Sequence, residues 1–167
     1  MALREILTEG DEQLTKVCRP VVKFDKRLAE LLDDMAETVK VANGCGLAAP
    51  QIGILRRVVV LYFDDEIIEL INPEIIDRKG EQHEVEGCLS LPGLHFYTDR
   101  PYTVRVKAYD RDGYAFEIEG DELVARALCH ELDHLDGITI RQSGKLLTEE
   151  EVAEYYKAFE EDTEDEA

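Results

Sequence analysis

The chain of 167 residues has no tryptophan, two methionines and five prolines, and its 19 lysines and arginines face 38 aspartates and glutamates. The resulting formal charge of −19 argues against direct DNA binding and against an anionic membrane surface, because both attract clustered basic residues. No apolar run reaches the roughly 20 residues of a membrane span. The first ten residues carry acids and lack the apolar core of a signal peptide. We therefore expect a cytoplasmic protein.

Cysteine is also scarce, with four residues at positions 18, 45, 88 and 129 and no CxxC pair. This spacing in a reducing compartment argues against a disulfide framework and against a four-cysteine zinc site. Hydrophobic residues make up 44% of the chain, enough for one globular core. We expect a single domain over residues 1–161. Residues 162–167 carry four acids and no large apolar group, and we expect them to be a disordered tail.

Helical periodicity occurs in three places, and the stretch between the first two is rich in β-formers. The apolar spacing predicts helices over 25–42, over 121–136 and from Thr148, the last with an apolar stripe of Val152, Tyr155, Tyr156 and Phe159. The β-rich runs cover 57–63, 67–71, 103–109 and 114–118, and Asp112-Gly113 separates the last two like a hairpin turn. Helices at both ends with antiparallel strands between them predict an α+β fold.

The helix over 121–136 contains the pattern HExxH, formed by His130, Glu131 and His134. At 100° per residue, His134 lies about 40° and Glu131 about 100° from His130, all on the apolar half of the helix. Cys129, Asp133 and Arg126 fall on the other half. Arg126 flanks the arc of the two histidines, so it could lie at the pocket rim or pair with an acid, and a solvated salt bridge is the favoured interpretation. Two inward imidazoles one turn apart, with a carboxylate beside them, predict a metal site with a general base. We expect the antiparallel sheets to pack around this central helix.

A catalytic site of this kind needs a third protein ligand. Ile140 stands where metzincin peptidases carry a third histidine, and Glu154, at the gluzincin spacing, lies opposite the apolar stripe of its helix. Two cysteines remain, Cys45 between glycines and Cys88 at the end of an extended segment. The residues that surround Cys88 favour it as the third ligand, and both cysteines stay candidates at this point.

Three blocks together resemble the peptide deformylase family, in the bacterial form with a helical C-terminus. They are GCGLAAPQ at 44–51, EGCLS at 86–90 and HELDHLDG at 130–137, in the family's order and approximate spacing. The resemblance implies that the metal is held by Cys88, His130 and His134. It also implies that Glu131 is the general base and acid, and that the oxyanion is stabilised by the Gln51 amide and the Leu89 N–H.

The implied reaction removes the N-formyl group from the N-terminal methionine of newly made polypeptides and releases formate. One divalent metal ion lowers the pKa of its water, which acts as the nucleophile. The resemblance implies Fe²⁺ in the cell, and a thiolate with two imidazoles also suits Zn²⁺, Ni²⁺ or Co²⁺. The alternative function is an HExxH-type zinc peptidase.

The substrate is expected to be an N-formylmethionyl peptide. Gly44 and Gly46 allow a close backbone approach, although they also fit a plain helix-ending turn. Cys45, Leu123 and Ala127 are expected to line the methionine slot. A transient encounter with the ribosome is expected to use a surface other than residues 148–167, which carry ten acids and one lysine.

Overall fold

The computed structural model describes the backbone of residues 2–166 and the side chains of residues 2–162. Its helices are α1 (Lys26–Val41), α2 (Glu122–Leu135), α3 (Ile140–Ser143) and α4 (Glu149–Glu166). Its strands are β1 (Gly46–Ala48), β2 (Val58–Phe63), β3 (Glu66–Lys79), β4 (Gln82–Cys88), β5 (Leu91–Arg100), β6 (Thr103–Tyr109), β7 (Ala115–Asp121) and β8 (Gly144–Leu146). Short 3-10 turns cover Glu12–Thr15 and Ala49–Ile52. Among these residues no helix is long and apolar enough to cross a membrane.

The strands form two antiparallel sheets. The larger sheet has the order β1-β2-β3-β6-β7 and the smaller one has the order β4-β5-β8. The predicted α+β fold with helices toward both ends is therefore confirmed. The stronger expectation, that the sheets surround the HExxH helix as the centre of the fold, stays a prediction.

The larger sheet lies between α1 and α2, and strand β2 shows how the sequence achieves this. Successive side chains of a strand point to opposite faces. Val58 and Val60 pack in the apolar cluster that contains the inner face of α1. Val59 and Leu61 pack in the cluster that contains the inner face of α2. These four side chains are fully buried, so β2 packs against both helices from one sheet.

Both ends of α1 follow the sequence prediction. The Asp25 side chain accepts a hydrogen bond from the backbone N–H of Leu28 at 3.1 Å, which caps the first turn. After Val41 the backbone turns through Asn43, whose φ is +56°, and leads into β1. Strand β1 is an edge strand of the larger sheet, and β4 is an edge strand of the smaller one.

The C-terminal helix α4 is less buried than the sequence suggested. The predicted capping box is present, because the Glu151 N–H donates to the Thr148 hydroxyl and the Thr148 N–H donates to the Glu151 carboxylate. Val152 and Tyr155 are half-buried, whereas Tyr156 is 47% and Phe159 is 64% exposed. The helix continues to Glu166, and the side chains of residues 163–167 lie outside the described residues. The boundary at 161 and the disordered tail therefore stay predictions.

Candidate metal centre and substrate cleft

Helix α2 and strand β4 run side by side and are joined by three pairs of polar side chains. On the strand, residues two apart share a face, and on the helix, residues four apart share a face. Arg126 contacts Gln82 at 2.7 Å, His130 contacts Glu86 at 3.0 Å, and His134 contacts Cys88 at 3.4 Å. We call these three pairs the polar ladder. It brings the HExxH helix and the EGCLS segment together.

The donor atoms of Cys88, His130 and His134 all lie within 4.8 Å of one another. The Cys88 Sγ is 3.4 Å from the Nε2 of His134. A tetrahedral ion with usual metal–sulfur and metal–nitrogen bond lengths places such atoms roughly 3.6 Å apart. One thiolate and two imidazoles are also donors that suit a divalent transition metal. The residues therefore fit the metal that the sequence implies. Among the described residues, Cys45 belongs to no such group.

The buried carboxylate of Glu86 orients His130. It accepts hydrogen bonds from Arg100 Nε at 3.0 Å, Arg100 Nη2 at 3.1 Å and Thr98 Oγ1 at 2.5 Å. Burial opposes ionisation, but the hydrogen bonds from His130 and Arg100 lower the pKa of Glu86 to about 2. An ionised carboxylate only accepts hydrogen bonds. Nδ1 of His130 must therefore carry the hydrogen, which leaves Nε2 as the nitrogen for a metal.

The surroundings of the two histidines shift their pKa values in opposite directions. Burial opposes protonation of His130, but the negative charge of Glu131 and the hydrogen bonds to Cys88 and Glu86 raise its pKa well above the ordinary value. Burial, followed by the charge on His130, lowers the pKa of His134 to about 3. The surrounding carboxylates and the thiol thus favour a positive charge at this place, as a cation site requires.

Glu131 lies in the wall of the same cleft and is 3% exposed. Burial raises the pKa of Glu131 to about 7, although the charge on His130 acts in the opposite direction. Its carboxylate approaches Gly46 so closely that an added Cβ would lie 2.9 Å from Glu131 Cγ and 3.0 Å from Oε2. A carboxyl group that titrates near neutral pH beside a metal-ligand group can carry protons in catalysis.

Gln51 and Leu89 lie beside the Cys88 sulfur. The Gln51 Oε1 accepts a hydrogen bond from the Ala48 N–H at 2.9 Å, and its Nε2 donates to Ser90 Oγ at 3.1 Å. These two bonds fix the amide, and its Nε2 is 3.8 Å from the Cys88 sulfur. Leu89 is in the turn between β4 and β5 and also lines the cleft.

The cleft has a volume of about 530 Å³ and opens between the edge strands β1 and β4. It brings together ten of the eleven sequence-predicted site residues along its wall: Gly44, Cys45, Gly46, Gln51, Cys88, Leu89, Leu123, Ala127, His130 and Glu131. The eleventh, His134, is 1% exposed and lies behind the Cys88 sulfur. The catalytic, metal-binding and substrate-binding roles of these eleven residues stay predictions.

The sequence analysis did not predict the contacts of several polar residues around the cleft. Arg100 bridges Glu86 and Asp133, with Nη1 at 2.9 Å from the Asp133 carboxylate. Glu86 was detectable, because it stands two residues before Cys88 and so shares its face of the strand. His83 lies in β4 and His95 lies in β5. His95 lines the cleft.

The sequence matches the family described as polypeptide deformylase over residues 3–149. A peptide deformylase of Acetivibrio thermocellus is 56% identical over 138 residues, covering 83% of this chain and 81% of that one. The crystal structure of a peptide deformylase from Legionella pneumophila superposes with a TM-score of 0.83 at 39% identity, covering 98% of this chain and 96% of that chain. A class I type b peptide deformylase from Acinetobacter baumannii, described as bound to Met-Ala-Ser, superposes with a TM-score of 0.82 at 28% identity. The match covers 85% of this chain and 98% of that chain.

Proposed function

The chain belongs to the polypeptide deformylase family, and we propose that it hydrolyses the formyl group from polypeptides that begin with N-formylmethionine. Water adds to the formyl carbon, the carbon–nitrogen bond breaks, and formate and a free amine are the products. The observation that carries this proposal is the convergence of a three-donor metal group and the buried carboxyl group of Glu131 in one cleft.

Cys88, His130 and His134 are the residues that would hold a divalent ion. When bound there, the ion supplies a Lewis acid that polarises the formyl oxygen and lowers the pKa of a water molecule. The proposed ion in the cell is Fe²⁺, and Zn²⁺, Ni²⁺ or Co²⁺ suits the same donors. The hydrogen bond from His130 to Glu86 supports this assignment, because it keeps the imidazole in the tautomer that a metal ligand needs.

Glu131 is the proposed general base and acid. Its pKa of about 7 lets the carboxylate take a proton from water near neutral pH. The protonated carboxyl group then delivers that proton to the departing amine. Because Glu131 is buried in the cleft wall, its carboxyl group stays beside the metal ligands, where it can act in both proton transfers.

The proposed oxyanion donors are the Gln51 amide and the Leu89 backbone N–H. Gln51 is 1% exposed, and its amide is fixed by Ala48 and Ser90 before a substrate arrives. Such preorganised donors stabilise the charge that develops on the formyl oxygen. Loss of one typically costs about 3 kcal/mol in the barrier.

The substrate peptide is proposed to lie between the two sheets, pairing with the exposed edges of β1 and β4. Gly44 and Gly46 on one side would leave room for its backbone, and Cys45, Leu123 and Ala127 would line the methionine slot. The Met-Ala-Ser peptide named for the Acinetobacter baumannii relative supports a site for a short chain that begins with methionine. A cytoplasmic location and a transient ribosome encounter stay predictions.

The test is formate release from formyl-Met-Ala-Ser by protein purified without oxygen and loaded with Fe²⁺ or Zn²⁺. Mass spectrometry should show loss of the formyl group and an intact peptide, whereas internal cleavage would identify the alternative zinc peptidase. Glu131→Gln should bind the metal normally and lose at least about 1,000-fold in kcat. Near-normal turnover by this variant would show that another group is the base.

A further inference from the structure

Arg126 lies on the wall of the cleft, beside two residues proposed to line the methionine slot, Leu123 and Ala127. It stands four residues before His130 on the same face of α2, which corresponds to about 6 Å along the helix axis. An extended methionine side chain covers such a distance. The Arg126 side chain therefore starts on the cleft wall about one helical turn away from the metal ligand His130.

The guanidinium of Arg126 is held in place by a buried amide. The Gln82 Nε2 donates to the carbonyl oxygens of Pro101 at 2.9 Å and Glu122 at 3.0 Å. These two bonds use both hydrogens of the amide nitrogen. The Oε1 of Gln82 therefore accepts from Arg126 Nη1, at 2.7 Å, in a fixed direction.

The Arg126 side chain does not form the salt bridge that the sequence favoured. Six other arginines contact carboxylates: Arg4, Arg57, Arg100, Arg105, Arg111 and Arg141. Across residues 2–162 no carboxylate lies within ion-pair distance of Arg126, and the nearby Glu84 accepts from the Tyr155 hydroxyl instead. Gln82 occupies one of the five N–H donors of the guanidinium. A positive charge with spare donors thus lies on the cleft wall.

We propose that Arg126 is a specificity-determining residue that lets the slot accept formyl peptides whose first side chain ends in a hydrogen-bond acceptor, with methionine sulfoxide as the natural example. The inference rests on the proposed deformylation. Methionine requires only apolar walls, because its thioether is a weak acceptor. Oxidation turns the thioether into a polar sulfoxide, which an apolar slot would reject because the buried oxygen would have no partner. A charge-assisted hydrogen bond from Arg126 supplies that partner.

The test compares kcat/KM for formyl-Met-Ala-Ser and for the same peptide with methionine sulfoxide, using each sulfoxide epimer. In the wild type we expect at least one epimer to react within about ten-fold of the methionine peptide. Arg126→Leu should lower the ratio of sulfoxide to methionine kcat/KM by about ten-fold or more, because the buried oxygen then has no donor. Arg126→Lys should restore part of that ratio, because an ammonium group also donates.

Arg105→Leu is the matched control, since it removes an arginine of strand β6 that is 45% exposed and does not line the cleft. It should leave the ratio unchanged. Two results would overturn the proposal in a protein that still deformylates the methionine peptide. One is an unchanged sulfoxide-to-methionine ratio of kcat/KM in Arg126→Leu. The other is a wild type whose kcat/KM for both sulfoxide epimers is more than 100-fold below that for the methionine peptide. No formate from either peptide with the metal-loaded wild type would instead reject the proposed function.

Discussion

Replacing Glu86 by glutamine should destabilise the protein and weaken metal binding together. The carboxylate is 9% exposed and accepts hydrogen bonds from His130, from Thr98 and from the Nε and Nη2 atoms of Arg100. Glutamine keeps the volume but points an N–H₂ group at donors. Arg100 then keeps only Asp133 as a carboxylate partner. Removing one member of a buried ion pair typically costs about 3–5 kcal/mol.

The pKa of Glu86 gives an independent magnitude for the same effect. It falls from the ordinary 4.5 to about 2 in the folded protein, and each pH unit corresponds to about 1.36 kcal/mol, so the carboxylate contributes about 3 kcal/mol. Because the folded pKa is the lower one, this contribution is fully present above pH 4.5 and is lost as the pH falls through 2. The stability gap between wild type and Glu86→Gln should therefore narrow below pH 4.5.

Urea unfolding of metal-free protein at pH 7 and pH 3 measures this gap, and competition with a chelator measures metal affinity. We expect Glu86→Gln to lose about 3 kcal/mol at pH 7 and ten- to 100-fold in metal affinity. Glu69→Gln is the control, because Glu69 pairs with Arg111 at a surface where the side chains are 20% and 35% exposed. It should cost at most about 1 kcal/mol. Equal costs in the two variants, or a gap independent of pH, would refute the reasoning.

Three further predictions concern the cleft and the C-terminus. Cys88→Ala should lose the metal and formate release together, while Cys45→Ala keeps the metal, as plasma emission analysis would show; metal retained in Cys88→Ala would contradict the ligand set. Gly46→Ala should lower kcat at least ten-fold without unfolding, because the new Cβ would displace the Glu131 carboxylate; unchanged kinetics would show that the close approach is unimportant. Deleting residues 162–167 should leave stability toward urea and turnover unchanged, whereas deleting the whole of α4 should lower stability. If the short deletion also lowers stability, the acidic end has a structural role.

The parts of the fold that follow local rules could be predicted from the sequence. Strand β6 has the predicted bounds, 103–109, and it pairs with β7 through the turn that contains Gly113, whose φ is +87°. The Asp25 cap and the apolar stripe of α1 are also local, and the helix ends within a residue of its predicted end. In each case the turn or cap residue and the periodic apolar positions lie within the element itself.

The predictions failed where an element has more than one partner. The helical wheel of α2 has one apolar arc, so Arg126 and Asp133 were assigned to solvent. In the structure the helix contacts the larger sheet through its apolar arc and the smaller sheet through these polar side chains. Strand β5 was missed for a related reason, since Pro92-Gly93 resembles a turn in the sequence, whereas in the structure the segment pairs with both β4 and β8.

The spacing of the three pairs in the polar ladder explains why the pair furthest from Cys88 contains the long side chain of Arg126. Glu86 and Cys88 flank an irregularity in the pairing of β4, and they contact His130 and His134, which lie roughly 6 Å apart along the helix axis. From Gln82 to Glu86 the strand advances about 13 Å, whereas the matching helical step from Arg126 is again about 6 Å. The strand therefore advances further than the helix, and the long Arg126 side chain spans the difference to reach Gln82. Because Arg126 also lines the cleft, the same pairing of strand and helix places it beside Leu123 and Ala127.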